Sequence, residues 1–259
     1  MPVLSPSPRT PAAGPTRFRA DLARSRSLFS DFLVEQSDPD RFYRRLASDS
    51  AAQVDSYHRL EGTTVLDVGG GPGYFAEAFT AAGACYVALD VDAGQIHLHG
   101  RTPAPRTVLG DGMRLPFATA ALDIAYSSNV AEHVPDPWRM GEEMVRVVRP
   151  GGLVFLSYTL WYGPWGGHET APWHLLGGDR AARRYQTRHG RPPKNRYGTS
   201  LYRVTAAAGL RWARQVRGAR LEAAVPRYLP SWTRPLVRVP GVREVVLWNL
   251  VLVLRVDSP

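Results

Sequence analysis

The chain has 259 residues, 44% of them hydrophobic, enough to bury the core of one α/β domain with insertions or of two small domains. Its single cysteine, Cys85, excludes a disulfide framework and fits a reducing cytoplasm, and no apolar run reaches the ~18 residues of a membrane-spanning helix. The formal charge is +9, but Arg9, Arg17, Arg19, Arg24 and Arg26 against Asp21 place +4 of it in residues 1–30, so the remainder lacks the clustered charge of a nucleic-acid-binding face.

Residues 1–16 are rich in Pro, Ser and Ala and are expected to be a disordered tail, without the apolar core of a secretory signal. Residues 17–36 pattern as a helix, with Leu22, Leu28, Phe29, Phe32 and Leu33 against arginines. This reads as a lid or packing helix; a basic amphipathic helix peripheral to a membrane is the other reading. A second helix is expected over 39–60, through Phe42, Tyr43, Leu46 and Val54. Residues 17–60 would then form an N-terminal helical lid and 61–259 the main domain. From residue 63 short apolar runs alternate with helical ones. Strands are expected at 64–68, 86–90, 107–110, 122–127 and 153–158, and helices at 74–82 and 138–148. Such alternation implies a parallel sheet with helices on both faces. The P-G-G run at 150–152 turns the chain from helix to fifth strand. Residues 159–200 break the rhythm as a long irregular insertion, rich in Gly and Pro and carrying Trp161, Trp165 and Trp173. A helix at 204–213 and strands at 221–226 and 247–256 complete the chain.

The first strand runs into V-L-D-V-G-G-G-P-G at 65–73. Glycines at 69, 71 and 73 let the backbone pass close to a ligand at the carboxyl end of that strand. Their spacing departs from the dinucleotide G-x-G-x-x-G, and Pro72 removes an N–H that a pyrophosphate would use, so a dehydrogenase is disfavoured. Asp90, ending the second strand, is placed to accept hydrogen bonds from ribose hydroxyls. Two further runs follow in order: G-D-G-M-R-L-P-F at 110–117 and L-D-I-A-Y-S-S-N-V-A-E-H at 122–133.

Together these motifs resemble the class I S-adenosyl-L-methionine (SAM)-dependent methyltransferase family with a methyltransferase type 11-like domain, over residues 63–158 and more loosely to the carboxyl terminus. With F-L-V-E-Q-S-D-P-D-R-F-Y at 32–43 and G-G-H-E at 166–169, the whole chain resembles an actinobacterial subgroup of that family. The resemblance implies a Rossmann-like α/β fold: a seven-stranded, mostly parallel sheet of order 3-2-1-4-5-7-6, its last strand antiparallel, flanked by helices. It implies SAM as cofactor, released as S-adenosyl-L-homocysteine. By the same resemblance Asp67, Gly69, Gly70, Gly71 and Gly73 would hold the methionyl end and Asp90 the ribose. Asp111 and Gly112 would contact the adenine, with Met113 near the ring or simply packed in the core. Asn129 would lie beside the methionyl group.

Methyl transfer is an in-line displacement in which positioning supplies much of the rate, and a hydroxyl or acidic carbon acceptor benefits from a general base. His133, after the fourth strand, is the first candidate; packing before Pro135 is its structural alternative. His168 and Glu169 in the insertion are the second, as a histidine oriented by a carboxylate or as solvated loop residues. His168, Glu169 and His174 lack a familiar ligand spacing, so no metal is expected. The tryptophans, Tyr197 and Tyr202 could wall an acceptor pocket. Arg183, Arg184, Arg188, Arg191, Lys194 and Arg196 form either a solvated face or a site for an acidic acceptor. The expected function is cytoplasmic O- or C-methylation of a small-molecule or lipid-linked acceptor. A non-catalytic SAM-binding regulatory module is the alternative. An RNA methyltransferase is the remaining one, for which an N-P-P-Y-type motif is expected where this chain has S-S-N-V at 127–130.

Overall fold

The computed structural model describes residues 18–35, 37–97 and 103–258; the tail expected at 1–16 lies outside the described residues. Seven strands form one sheet of order β3-β2-β1-β4-β5-β7-β6. They are β1 Thr64–Val68, β2 Cys85–Asp90, β3 Thr107–Leu109, β4 Leu122–Ser128, β5 Val148–Thr159, β6 Ala219–Pro226 and β7 Asn249–Val256. Strands β1 to β5 pair in parallel, and β7 runs antiparallel to both β5 and β6. Helices α1 Leu22–Phe32, α2 Pro39–Asp55, α3 Tyr74–Ala81, α4 Ala93–Ile96, α5 Pro137–Val147, α6 Gly178–His189, α7 Ala206–Gln215 and α8 Val242–Val246 complete the architecture.

The central strands are buried on both faces, which explains their near-continuous apolar sequence. Successive residues alternate between two cores. Leu66, Ala125, Val154, Leu156, Leu252 and Leu254 pack with α5 and α7 through Met140, Met144 and Leu210. Val65, Tyr126, Phe155, Val251 and Val253 pack with α2 and α3 through Leu46, Val54 and Phe79. Each such side chain contributes about 1.5–3 kcal/mol by leaving water.

Local chemistry sets the element ends. Asp38 and Asp136 accept the backbone N–H of Arg41 and Arg139, and Pro39 and Pro137 take the first helical positions of α2 and α5. Asp21 accepts from Arg24 N–H in the same way, so α1 starts at Leu22 rather than at 17. Helix α2 stops at Asp55, short of the expected 60, and the Leu60 N–H donates to Asp55 Oδ1 at 2.9 Å as the chain turns into β1. Thr205 caps α7, moving its start from 204 to 206. Strand β5 is longer than expected and takes in the P-G-G run. The insertion is not irregular throughout: α6 lies within it and ends on Gly190 in the left-handed region (φ 68°).

Helix α1 turns Arg24, Leu28 and Asp31 inward, while Arg26 and Leu22 stay exposed. Arg24 makes a bidentate pair with Asp49 at 2.5 and 2.6 Å, and Asp31 holds Arg41 and Arg45 of α2. Phe32 packs edge-on against Phe42 and against Trp165 of the insertion, with centroids 5.7 and 5.1 Å apart. No helix among the described residues is long and apolar enough to cross a membrane.

Helices α5 and α7 meet through a notch at Gly141, where a Cβ would collide with the Trp212 ring, itself stacked on Trp138 at 5.6 Å. Gly141→Ala improves helix propensity by about 1 kcal/mol. It is nevertheless expected to lower the unfolding free energy by about 1–3 kcal/mol through overpacking, measured by urea denaturation. An unchanged midpoint would mean that Trp212 moves aside freely.

Candidate active site

The glycine turn sits at the carboxyl ends of β1 and β2. Gly69 and Gly70 donate their N–H groups to the Leu89 carbonyl at 2.7 and 3.1 Å, fastening the turn to β2. A Cβ on Gly69 would collide with Val130; one on Gly70 would crowd Ala88, Asp67 and Tyr86. Gly71 has φ 50° and nothing within 4 Å of where its Cβ would stand, so the turn is open to a ligand there. Its N–H donates to Asp90 Oδ2 at 3.0 Å, while Asp90 Oδ1 accepts from Asp92 N–H at 3.0 Å. Each of those oxygens keeps a further lone pair, as ribose hydroxyls would require.

Beneath the turn Asp67 is buried, and Tyr86 donates its hydroxyl to Asp67 Oδ2 at 2.5 Å. Burial pushes the Asp67 carboxyl up to about 7; the Tyr86 hydrogen bond pulls the other way, and neighbouring Asp90 adds to the rise. The carboxyl thus has a proton to lose when a cationic group arrives. On the third strand's exit, Asp111 Oδ1 accepts from Met113 N–H at 2.8 Å, and Met113 packs against the core. A Cβ on Gly112 would press on Val68 and Met140.

The turn after β4 is shaped by Asn129, which stands in the left-handed region (φ 56°). Its N–H donates to the Ser157 carbonyl at 2.9 Å. Its side chain donates to Tyr228 Oη at 3.2 Å and accepts from Asn249 Nδ2 at 2.6 Å. The side-chain amide and the N–H are therefore engaged by protein, and the backbone carbonyl remains for a cofactor.

Three and four residues later the chain places Glu132 and His133 in a helical turn. His133 Nδ1 lies 2.7 Å from the Ser200 carbonyl; a carbonyl only accepts, so Nδ1 carries the hydrogen and Nε2 keeps its lone pair. The His133 and His168 rings meet edge to face, with centroids 4.9 Å apart. Burial, then the neighbouring His133, hold His168 below its ordinary pKa, which keeps it neutral. His168 also has a positive φ of 50°. Among the described residues only Ala120, Asn129 and His168 do so without being glycine, and two of the three lie in this site.

The expected partnership of His168 with Glu169 does not form. Glu169 accepts instead from the N–H and Nδ2 of Asn195, at 2.8 and 2.9 Å. Burial alone would raise the Glu169 pKa, but those hydrogen bonds outweigh it and hold the carboxyl low. Adjacent side chains diverge, and each finds a partner far away in sequence. His174 is turned from the cluster too: its Nε2 lies 2.7 Å from the Trp161 carbonyl. Trp161 contacts Tyr197, while Tyr202 reaches the site through its N–H, which donates to the Glu132 carbonyl at 2.7 Å. The basic stretch carries Arg184 over the Trp173 ring, 4.0 Å from its centroid. Glu132, Arg227 and Tyr228 were not singled out from sequence. A charged residue beside His133, and another straight after the apolar β6, were the available signals.

Residues 66–156 match the family described as a methyltransferase domain. A protein of Mycolicibacterium gilvum, named an uncharacterized methyltransferase, is 59% identical over 250 residues, covering 92% of this chain and 96% of that one. A protein of the same name from Mycolicibacterium paratuberculosis is 54% identical over 246 residues, with 92% and 96% covered. Among solved structures, the S-adenosylmethionine dependent methyltransferase from Mesorhizobium loti superposes with a TM-score of 0.54 at 18% identity, over 81% of this chain and 97% of that one. That last likeness concerns the fold alone. On its likeness to relatives matched almost from end to end, the chain belongs to the SAM-dependent methyltransferase family.

Proposed function

We propose that the protein methylates an oxygen or carbon atom of a small-molecule or lipid-linked acceptor held between His133 and the 159–200 insertion. The observation that carries this reading is the His133–His168 pair, which joins the end of β4 to the insertion and leaves His133 Nε2 with a free lone pair. The insertion also exposes Tyr162, Trp173, Leu175 and Leu176, surfaces suited to a partly apolar acceptor. Residues 17–60 act as a lid: Phe32 of α1 rests on Trp165, and Phe29 on Trp248 at 5.2 Å.

SAM, when bound, supplies an electrophilic methyl group on a positively charged sulfur. Asp67 and Gly69, Gly70, Gly71 and Gly73 would hold its methionyl end, Asp90 its ribose, and Asp111, Gly112 and Met113 its adenine. Asn129 would contribute backbone contacts. His133, with Nδ1–H fixed on Ser200, would present Nε2 to the acceptor proton.

Methyl transfer is tested with radiolabelled SAM on lipid and polar small-molecule extracts. His133→Ala is expected to reduce incorporation by about 10²–10⁴-fold while leaving S-adenosylhomocysteine affinity within about twofold. Label appearing only in RNA or protein would overturn the proposed acceptor class.

Asp67 gives a pH signature. Its folded pKa, about 7, lies above the unfolded carboxylate value, so the free protein loses stability as pH rises through that window. A cationic methionyl group favours the ionised form. Calorimetric titration with S-adenosylhomocysteine is therefore expected to show affinity rising several-fold from about pH 6 to about pH 8. Asp67→Asn should flatten that rise; an unchanged slope in the variant would assign the proton elsewhere.

A further inference from the structure

The turn after β4 buries a carboxyl group that meets no cationic side chain among the described residues. Glu132 is 1% exposed; its Oε1 accepts from Thr159 N–H at 3.1 Å, and its Oε2 is buried with no hydrogen-bond partner. None of the ion pairs among the described residues involves it. A carboxylate sealed from water in this way calls for a cation.

Two imidazoles stand where such a cation would be shared. His133 offers Nε2, because Ser200 holds Nδ1. His168 offers a buried Nδ1 with no partner. One ligand atom from each of Glu132, His133 and His168 can be chosen so that all lie within 4.8 Å of one another. We propose that these three residues bind one divalent transition-metal ion. A carboxylate and two neutral imidazoles form a donor set for zinc, manganese or iron(II), whereas magnesium and calcium prefer oxygen ligands alone. The Ser200 carbonyl is the outer contact that orients the His133 ring, as metal-ligating histidines require. Three protein ligands leave coordination positions open to a water or an acceptor oxygen.

The ligands are consecutive residues at the end of β4 and one residue of the insertion, so the ion would lock the insertion onto the sheet edge. It would replace His133 as the activating group. The inference deepens the acceptor site proposed above and rests on it for the ion's role, but not for binding.

The full chain, stripped with a chelator and titrated with cobalt(II) chloride, is expected to bind about one equivalent and to develop visible ligand-field absorption. His168→Ala and Glu132→Gln should each weaken that binding at least about tenfold. Circular dichroism checks the fold of both; where Glu132→Gln does not fold, His168→Ala decides alone. S-adenosylhomocysteine titration of the same samples reads the cofactor pocket independently. Retained S-adenosylhomocysteine binding without cobalt absorption overturns the metal site and leaves the methyltransferase reading standing. Cobalt absorption unchanged in the variants also overturns it, because the ion then lies elsewhere.

Discussion

One guanidinium organises the interior. Arg227, 0% exposed, follows β6, and none of the ion pairs among the described residues involves it. It donates to four hydroxyls instead: Ser50 of α2, Tyr126 and Ser128 of β4, and Ser157 of β5. A buried charge is costly unless its hydrogens are matched; here the two terminal nitrogens use the hydroxyls of three separate elements, while Nε is buried without a partner. Arg24 completes the arrangement from outside, donating to the Arg227 carbonyl at 2.9 Å while gripping Asp49. Helix α1, α2 and the centre of the sheet are thereby referred to one point. That point lies beside Ser128, immediately before the Asn129 turn.

From there the site follows by geometry. The parallel strands end on one edge, and each delivers a different group to it: the glycine turn from β1, Asp90 from β2, Asp111 from β3 and Asn129 from β4. Such an edge is where open α/β sheets bind their ligands. Burial then assigns chemistry by depth. Asp67, sealed beneath the glycines, keeps its proton near neutral pH, whereas Asp90 is partly exposed and holds backbone N–H groups.

Much of this is legible in the sequence itself. Strand periodicity, the D-P helix starts and the glycine spacing are local signals, and β1 to β4 fall within a residue or two of where they place them. The failures share a cause. The end of α2 depends on a side chain reaching from Asp55 to Leu60, and the insertion's helix α6 carries few apolar residues to mark it. Within the site, what the sequence does not show is pairing across long stretches of chain. Glu169 meets Asn195, His168 meets His133, and Asn129 is held by Tyr228 and Asn249, respectively 99 and 120 residues away. Chain proximity favours His168 with Glu169; the left-handed backbone of His168 sends the ring elsewhere.

The β4 turn does double duty, since Val130 packs against Gly69 of the glycine turn and Glu132 and His133 meet the insertion within four residues of chain. A length change there would disturb both halves at once. The insertion is tied to the turn only on the Ser200 and His168 side of the site and elsewhere rests on itself, on α1, on Val204 and on Trp248. Evolutionary freedom is therefore uneven. Changes within residues 159–200 would disturb the glycine-turn half of the molecule less than changes in the turn itself, which both halves share.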